Sequence, residues 1–202
     1  MTQSIENTIL NSIKKRGRGT VFFSSDYSKV GEKSAVLKAL ERMAAGGTIV
    51  RVARGIYCYP KIDKELGFGT LYPTYEEIAQ AIAKRDKARI VPAGIYAMNR
   101  LGLSTQVPMN VVYLTDGSSR KVAINGNRGI QFKHVAPKNL AFQNQLALLI
   151  NSALKEIGQD NITEKDKTRI KSLLSNESKD NVMQDVKLMP DWIASIIREA
   201  YE

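Results

Sequence analysis

The stretch 32-EKSAVLKALERMAAGGTIVRVARGIYCYP-60 predicts an amphipathic helix followed directly by a β hairpin. Over residues 32–45 the apolar side chains share one side of a helical wheel and the polar ones share the opposite side. The apolar side carries Val36, Leu37, Leu40, Met43 and Ala44, and the polar side carries Ser34, Lys38, Glu41 and Arg42. Gly46-Gly47 can adopt positive φ and therefore end the helix.

The hairpin that follows consists of two β-rich runs, TIVRV (48–52) and IYCYP (56–60). They flank Ala53-Arg54-Gly55, a turn in which Gly55 can adopt positive φ. Strand alternation places Tyr57 and Tyr59 on one side of the second strand and Ile56 and Cys58 on the other. One of these two sides is expected to cover the helices.

The residues before this stretch predict a second helix and a short strand. SIENTILNSIKK (4–15) has Ser4 as a candidate N-cap and an apolar stripe at helical spacing, and Gly17 follows its basic last turn. TVFF (20–23) is a short β-rich run. Ser24, Ser25 and Asp26 then offer N-caps for a brief helix that ends near Gly31.

The resulting order is helix, short strand, helix, helix and hairpin within residues 1–62. This is the element order of a winged helix-turn-helix, in which the third helix enters the major groove of DNA and the hairpin, called the wing, meets the backbone or the minor groove. An unrelated small α+β domain is the alternative interpretation of the same order.

The rest of the chain predicts an α+β body and a helical tail. Residues 63–73 are predicted to be a linker. Residues 74–140 predict an α+β domain with two helices, a short strand at 89–92, and consecutive antiparallel strands at 109–116, 120–125 and 129–135. From 141 to 202 the pattern is helical. The predicted fold class is α+β overall.

Charge distribution favours a polyanionic partner. The net charge is +10, and residues 1–60 carry ten basic and four acidic side chains, whereas residues 141–202 carry eight and ten. A basic body with a slightly acidic tail is typical of nucleic-acid binding, although solubility alone can explain a basic chain. No apolar run reaches the roughly 20 residues of a membrane span. The absence of a signal-peptide pattern and the single cysteine indicate a cytoplasmic protein.

Catalytic patterns are scarce. His134 and Cys58 are each the only residue of their type, so a zinc site or a Cys–His nucleophilic pair is poorly supported. Neither a P-loop nor a dinucleotide-binding glycine motif occurs. The acidic residues of the tail stand among lysines, as on a solvated helix surface. These residues are Glu164, Asp166, Glu177, Asp180 and Asp185. We therefore expect no catalytic residues, no metal and no cofactor.

Double-stranded DNA is the expected partner of residues 1–62. Arg42 could pair with a guanine edge, and Lys38 could reach a base or a phosphate. Arg54 at the turn and Arg51 beside it would lie on the wing. The remaining candidates are basic or hydroxyl side chains suited to the phosphate backbone. They are Lys14, Arg16, Arg18, Ser24, Ser25 and Ser34.

Residues 1 to about 140 resemble a known family. The segments RVARGIYCYP (51–60), YPTYEEIAQAIAKR (72–85), PAGIYAMNRLGLSTQVP (92–108) and NVVYLTDGSSRKV (110–122) are similar to the abortive-infection antitoxins of type IV toxin–antitoxin systems, the AbiEi-like group. The run 92–122 is the most specific part of this resemblance. The tail from 141 carries no motif of the family.

The resemblance implies a repressor that binds inverted repeats in its own promoter and opposes a nucleotidyltransferase toxin without a stable complex. It implies action as a monomer or weak dimer on DNA and a role in defence against phage. Basic residues of the second domain become candidates for a nucleic-acid surface. They are Lys84, Arg85, Lys87, Arg89, Arg100, Arg120, Lys121 and Lys133. A winged-helix regulator unrelated to a toxin and a nucleic-acid-modifying enzyme are the alternatives.

Overall fold

A computed structural model describes residues 4–63, 65, 67–126 and 128–202, except for the side chain of Asn125. The chain has the predicted α+β fold and divides into two compact units. The first contains residues 1–84 and 123–127, and the second contains residues 85–122 and 128–202. These limits differ from the boundaries predicted at residues 62, 73 and 140.

The first unit begins with the predicted element order. Helix α1 (Ile5–Arg16) is followed by strand β1 (Val21–Phe23), a 3-10 turn (Ser24–Tyr27), helix α2 (Lys33–Ala45) and the strands β2 (Val50–Ala53) and β3 (Ile56–Cys58). The predicted second helix is therefore one tight turn. The three strands form an antiparallel sheet in the order β1-β3-β2.

The core of this unit lies between the sheet and the two helices. Phe22 of β1 stacks on Tyr57 of β3, with 5.9 Å between ring centroids, and meets Tyr27 edge-on. Helical residues complete the core. They are Ile9, Ile13, Val36, Ala39, Leu40 and Met43. The tyrosine side of β3 is therefore the side that covers α1 and α2, and Ile56 and Cys58 on the other side are also buried.

The predicted linker is partly structured. Strands β4 (Lys61–Asp63) and β5 (Gly69–Leu71) pair antiparallel into a two-stranded sheet. Helix α3 (Tyr75–Asp86) then starts at a capping box, since the N–H of Glu77 donates to Thr74 Oγ1 and the N–H of Thr74 donates to Glu77 Oε2.

A four-stranded sheet contains β6 (Ile90–Ala93), β7 (Asn110–Thr115), β8 (Arg120–Asn125) and β9 (Arg128–His134) in the order β6-β7-β9-β8. It belongs to the second unit except for residues 123–125 of β8. The prediction of consecutive antiparallel strands is wrong for β7 and β9, which pair in parallel from Asn110↔Gly129 to Thr115↔His134. A short turn at Gly126 joins β8 to β9. Strand β9 then lies between β7 and β8, so β7 pairs with β9 and not with β8.

Helices cover this sheet and form the larger part of the second unit. They are α4 (Gly94–Leu101), α5 (Gln145–Ile157), α6 (Glu164–Leu174), α7 (Lys179–Asp185) and α8 (Asp191–Glu199). Thr163 caps α6 with a reciprocal bond to Asp166. Helix α7 was not predicted.

The C-terminal helices belong to the core of the second unit. Ala147, Ile150 and Leu154 of α5 are fully buried and lie in one cluster with Val91 of β6 and Leu101 of α4. This cluster continues through buried residues of α6, α7 and α8. Residues 141–202 are therefore an integral half of the second unit, although sequence reasoning treated them as a separate region.

Candidate nucleic-acid interface

Helix α2 presents the polar side that its periodicity predicts. Ser34, Lys38, Glu41 and Arg42 are exposed, whereas Val36, Leu40 and Met43 are buried. Leu37, which was expected on the apolar side, is 39% exposed. Among the described residues no side chain hydrogen-bonds to the first N–H groups of α2, and Lys33 occupies the first helical position. A cation at a helix N-terminus opposes the helix dipole. Such a locally unfavourable choice is typical of functional sites.

The β2–β3 hairpin carries two exposed arginines. Arg51 lies on β2 next to a register irregularity, and Arg54 occupies the turn. Gly55 adopts φ of +72°, as the turn requires. The carbonyl of Gly55 accepts the N–H of Ser24 at 3.0 Å. This bond fixes the hairpin turn against the 3-10 turn.

A groove of about 360 Å³ lies between the 3-10 turn and α2. Ser24, Ser25 and Ser28 line one side, and Lys33 and Leu37 line the other. Because Ser24 also bonds the hairpin turn, the hairpin, the groove and α2 are connected. We call Ser25, Lys33, Ser34, Lys38 and Arg54 the polar surface of the first unit.

Three of the candidate arginines are held by the protein itself. Arg16 pairs with Asp26 at 3.1 Å, and Arg42 pairs with Glu6 of α1 at 2.5 Å. Arg18 donates to the carbonyl of Pro60 at 2.9 Å and lies over the ring of Tyr59. These contacts join α1 to α2, to the 3-10 turn and to the end of β3. Arg16, Arg18 and Arg42 therefore have structural roles that their sequence positions did not reveal.

Lys33 is a residue that sequence reasoning missed. It precedes the predicted polar side of α2 by one position and lines the groove with the serines. The sequence signal that could have identified Lys33 is a lysine in the first turn of a helix, where the helix dipole favours acidic residues. Lys14 lies in the last turn of α1, where it is exposed.

The basic residues proposed for the second domain fall into two groups. Lys84, Lys87, Arg100, Lys121 and Lys133 are exposed. Arg85 and Arg120 both pair with Asp86, and Arg120 also lies over the ring of Phe132. Burial alone would raise the pKa of Asp86, but the hydrogen bonds and charges of Arg85 and Arg120 lower it overall. The second group therefore consists of Arg85, Arg120 and Arg89, and these arginines have structural roles.

Arg89 joins three segments of the second unit. Its Nε–H donates to Asp116 Oδ2 at 2.8 Å, and its terminal N–H groups donate to the carbonyls of Leu140 and Pro137, each at 3.0 Å. Its backbone N–H also donates to Asp116 at 2.7 Å. Burial alone raises the pKa of Asp116, but the hydrogen bonds and charge of Arg89 lower it overall.

The Asp116→Asn variant is expected to be less stable than the wild type at neutral pH, with the difference shrinking in acid. The unfolded pKa of an aspartate is about 3.9, and the folded pKa of Asp116 lies lower. Ionised Asp116 therefore adds stability above about pH 4 that is lost as pH falls through the folded pKa. Thermal unfolding of both proteins from neutral pH to below about pH 4 measures this. A gap in Tm that stays constant with pH would contradict the assignment.

The two residues considered for nucleophilic catalysis have ordinary structural surroundings. Cys58 is 1% exposed, and burial together with the charge of Glu77 raises its thiol pKa to about 11, while Lys61 acts in the opposite direction. His134 Nδ1 lies 2.8 Å from the carbonyl of Gly117, and its backbone N–H donates to Ser119 Oγ. Within the described part of the chain, no cluster of three or more His, Cys, Asp or Glu side chains could hold a metal.

Cys58 is expected to resist thiol reagents in the native protein. At about pH 8 a thiol of pKa about 11 is roughly a hundredfold less ionised than an unfolded cysteine, and burial slows its reaction further. Reaction with a chromogenic disulfide reagent should therefore be complete only after unfolding in urea. Equal rates in native and unfolded protein would show that the thiol is accessible.

The longest helices in the described residues, α2 and α5, have 13 residues each, and none is long and apolar enough to cross a membrane.

Comparison with known proteins places the fold and the family. The crystal structure of the RV2827C protein from Mycobacterium tuberculosis is similar over 98% of this chain and 82% of that chain, with a TM-score of 0.50 and 12% sequence identity. At this identity the similarity concerns the fold alone. A search of the curated proteins found no match. Residues 8–182 match the model of DUF6088, a family of unknown function, and the chain therefore belongs to that family.

Proposed function

We propose that this protein is a DNA-binding transcriptional repressor whose first unit is a winged helix-turn-helix. Its element order and the sheet order β1-β3-β2 support this assignment. In the proposed complex α2 lies in the major groove with Ser34 and Lys38 toward the bases. Arg51 and Arg54 contact the backbone from the wing.

One observation carries the proposal: the hydrogen bond between Ser24 and Gly55 connects the hairpin turn to the groove beside α2. The hairpin carries exposed Arg51 and Arg54, and α2 carries exposed Lys33 and Lys38. Lysines and arginines that neutralise phosphates release counterions, and hydroxyl groups also bond phosphate oxygens. The polar surface of the first unit thus has the chemistry that a DNA backbone requires.

The antitoxin part of the proposal rests on the resemblance of residues 51–60 and 72–122 to the type IV antitoxins. We propose that the protein is cytoplasmic, opposes a nucleotidyltransferase toxin and has no catalytic activity of its own. The exposed lysines among the basic residues of residues 84–133 are Lys84, Lys87, Lys121 and Lys133, and they are its remaining candidates for contact with nucleic acid.

DNA binding is tested by fluorescence anisotropy with a duplex from the region upstream of its own gene. A shuffled duplex of equal composition is the control. If Lys33, Arg51 and Arg54 each neutralise one phosphate and Lys38 bonds a base, the logarithm of the affinity should fall with the logarithm of salt with a slope of about −3. The slope becomes about −4 if Lys38 also neutralises a phosphate. Equal binding to both duplexes would contradict sequence-specific repression, and no binding would refute the DNA proposal.

The toxin relationship is tested by co-expression with the neighbouring reading frame. Rescue of growth by this protein supports the antitoxin role. If the neighbour is not toxic, a regulator unrelated to a toxin is favoured instead. Metal-dependent turnover of a nucleic acid by the purified protein would favour the enzyme alternative.

A further inference from the structure

The second unit contains a cavity of about 500 Å³ between its sheet and helix α5. This volume lies within the range of about 300–1,000 Å³ that is usual for small-molecule sites. Val91, Val112 and Leu114 form the sheet wall, and Leu148 of α5 and Tyr96 of α4 face the same space. The walls are therefore mainly apolar, as in a site for an organic ligand.

Asn151 is a buried polar residue that lines this cavity. It is 4% exposed and lies on α5, whose other buried residues are apolar except for Ser152. Among the described residues its Oδ1 atom has no hydrogen-bond partner. Buried acceptors in native proteins nearly always have a partner, and a leucine would fill this position without the cost of an unpaired oxygen.

Ser152 beside it does not supply that partner. Its hydroxyl donates to the carbonyl of Pro92 at 2.8 Å, which holds α5 to β6. Asn151, which lines the cavity, therefore keeps an unpartnered acceptor, Oδ1, next to mainly apolar walls. A ligand with an N–H or O–H group would satisfy it.

The charged groups that line the cavity are Lys133 of β9 and Lys155 and Glu156 of α5. The Glu156 carboxyl carbon lies 3.7 Å from the position that a Cβ of Gly94 would occupy, at the start of α4. A carboxylate is favoured there by the helix dipole. In the described part of the chain Lys133 and Lys155 form no ion pair, and both are exposed. The local charge excess is positive.

We propose that this cavity binds a small organic anion with an apolar, ring-sized body. Its N–H or O–H group donates to Asn151 Oδ1, and its carboxylate or phosphate pairs with Lys133 and Lys155. The site is distinct from the polar surface of the first unit, because every residue that lines it belongs to the second unit. It shares Lys133 with the lysines of the second unit that are candidates for contact with nucleic acid. A water molecule that serves only to complete Asn151 is the competing explanation.

The test uses the full-length protein and three probes in saturation-transfer NMR and calorimetry. Indole-3-acetate has an aromatic body, an N–H donor and a carboxylate. Naphthalene-1-acetate lacks the donor, and tryptamine replaces the anion by a cation. Indole-3-acetate is expected to bind best. Loss of one hydrogen bond should weaken naphthalene-1-acetate about fivefold to tenfold, and tryptamine should bind more weakly still.

Variants locate the site. Asn151→Leu should abolish the preference for indole-3-acetate over naphthalene-1-acetate and raise Tm, because an unpaired acceptor is removed. Lys133→Gln and Lys155→Gln, both at exposed positions, should each weaken indole-3-acetate about twofold to fivefold. Lys165→Gln on the exposed side of α6 is the matched charge control and should change nothing.

Three results would overturn the proposal, two of them from binding and one from stability. The first is that none of the three probes binds to the wild type. The second is that the Lys133→Gln/Lys155→Gln double variant binds indole-3-acetate as tightly as the wild type. A higher Tm in Asn151→Leu with unchanged probe preference would identify the cavity as a hydrated packing defect and also refute the ligand site.

Discussion

Replacing Lys38 and Arg54 together by alanine is expected to reduce the affinity for the upstream duplex by about 10-fold to 100-fold. Lys38 is exposed on α2, and Arg54 is exposed in the hairpin turn, so the pair removes one contact from each element. In the proposed complex these elements bind different parts of the duplex, and their losses should therefore add. Anisotropy titrations at fixed salt measure the effect.

The salt dependence distinguishes phosphate contacts from base contacts. If both side chains neutralise phosphates, the slope should become less steep by about 2. If Lys38 bonds a base edge instead, the slope should change by only about 1, and discrimination between the specific and the shuffled duplex should fall. Anisotropy titrations repeated across a salt series thus distinguish a phosphate contact from a base contact at Lys38.

The matched control is the Lys165→Ala/Lys171→Ala variant, which removes the same charge from the exposed side of α6 in the second unit. It should retain nearly full affinity. A comparable loss in this control would mean that net charge alone drives binding. Unchanged affinity in Lys38→Ala/Arg54→Ala would refute the assignment of α2 and the hairpin to DNA.

Arg42 illustrates how the structure changes a prediction from sequence. Its position on the polar side of α2 suggested a base contact, but its Nε–H donates to Glu6, which is 36 positions away in the chain. No local pattern contains that partner. The structure makes Lys38 a better choice than Arg42 for the DNA experiment, because Arg42→Ala would also disrupt the contact between α1 and α2.

Elements defined by local chemistry could be predicted from the sequence. Periodicity identified α2, and glycine identified the turn at Gly55. Each of these signals operates within about four residues, where helical and turn geometry is set.

Features set by distant residues could not be predicted. The parallel pairing of β7 with β9 depends on which strand occupies the space beside β7, and strand alternation is the same for either neighbour. The same limit applies to Arg89, whose carbonyl partners lie 48 and 51 positions away. The cavity beside Asn151 is also formed by distant segments.

Asp185 is the clearest case of an acidic residue misread from its neighbours. Its sequence context indicated a solvated helix surface, but the side chain is 2% exposed. Its carboxylate accepts the N–H of Gln143 at 3.0 Å and that of Asn144 at 2.7 Å. These two residues precede α5, and Asn144 itself caps that helix through the N–H of Ala147. Asp185 therefore fixes the end of α7 to the start of α5.

The Asp185→Ala variant is expected to lose about 3–5 kcal/mol of unfolding free energy, since two backbone N–H groups lose a charged acceptor in a buried place. Trp192, the only tryptophan, packs against the core of the second unit, so its fluorescence during urea unfolding reports this loss. Asp185→Asn keeps one acceptor oxygen and should lose less. Asp180→Ala, an exposed position on the same helix, is the control and should change stability by less than about 0.5 kcal/mol. If Asp185→Ala is no less stable than Asp180→Ala, the buried carboxylate is not what holds α7 to α5.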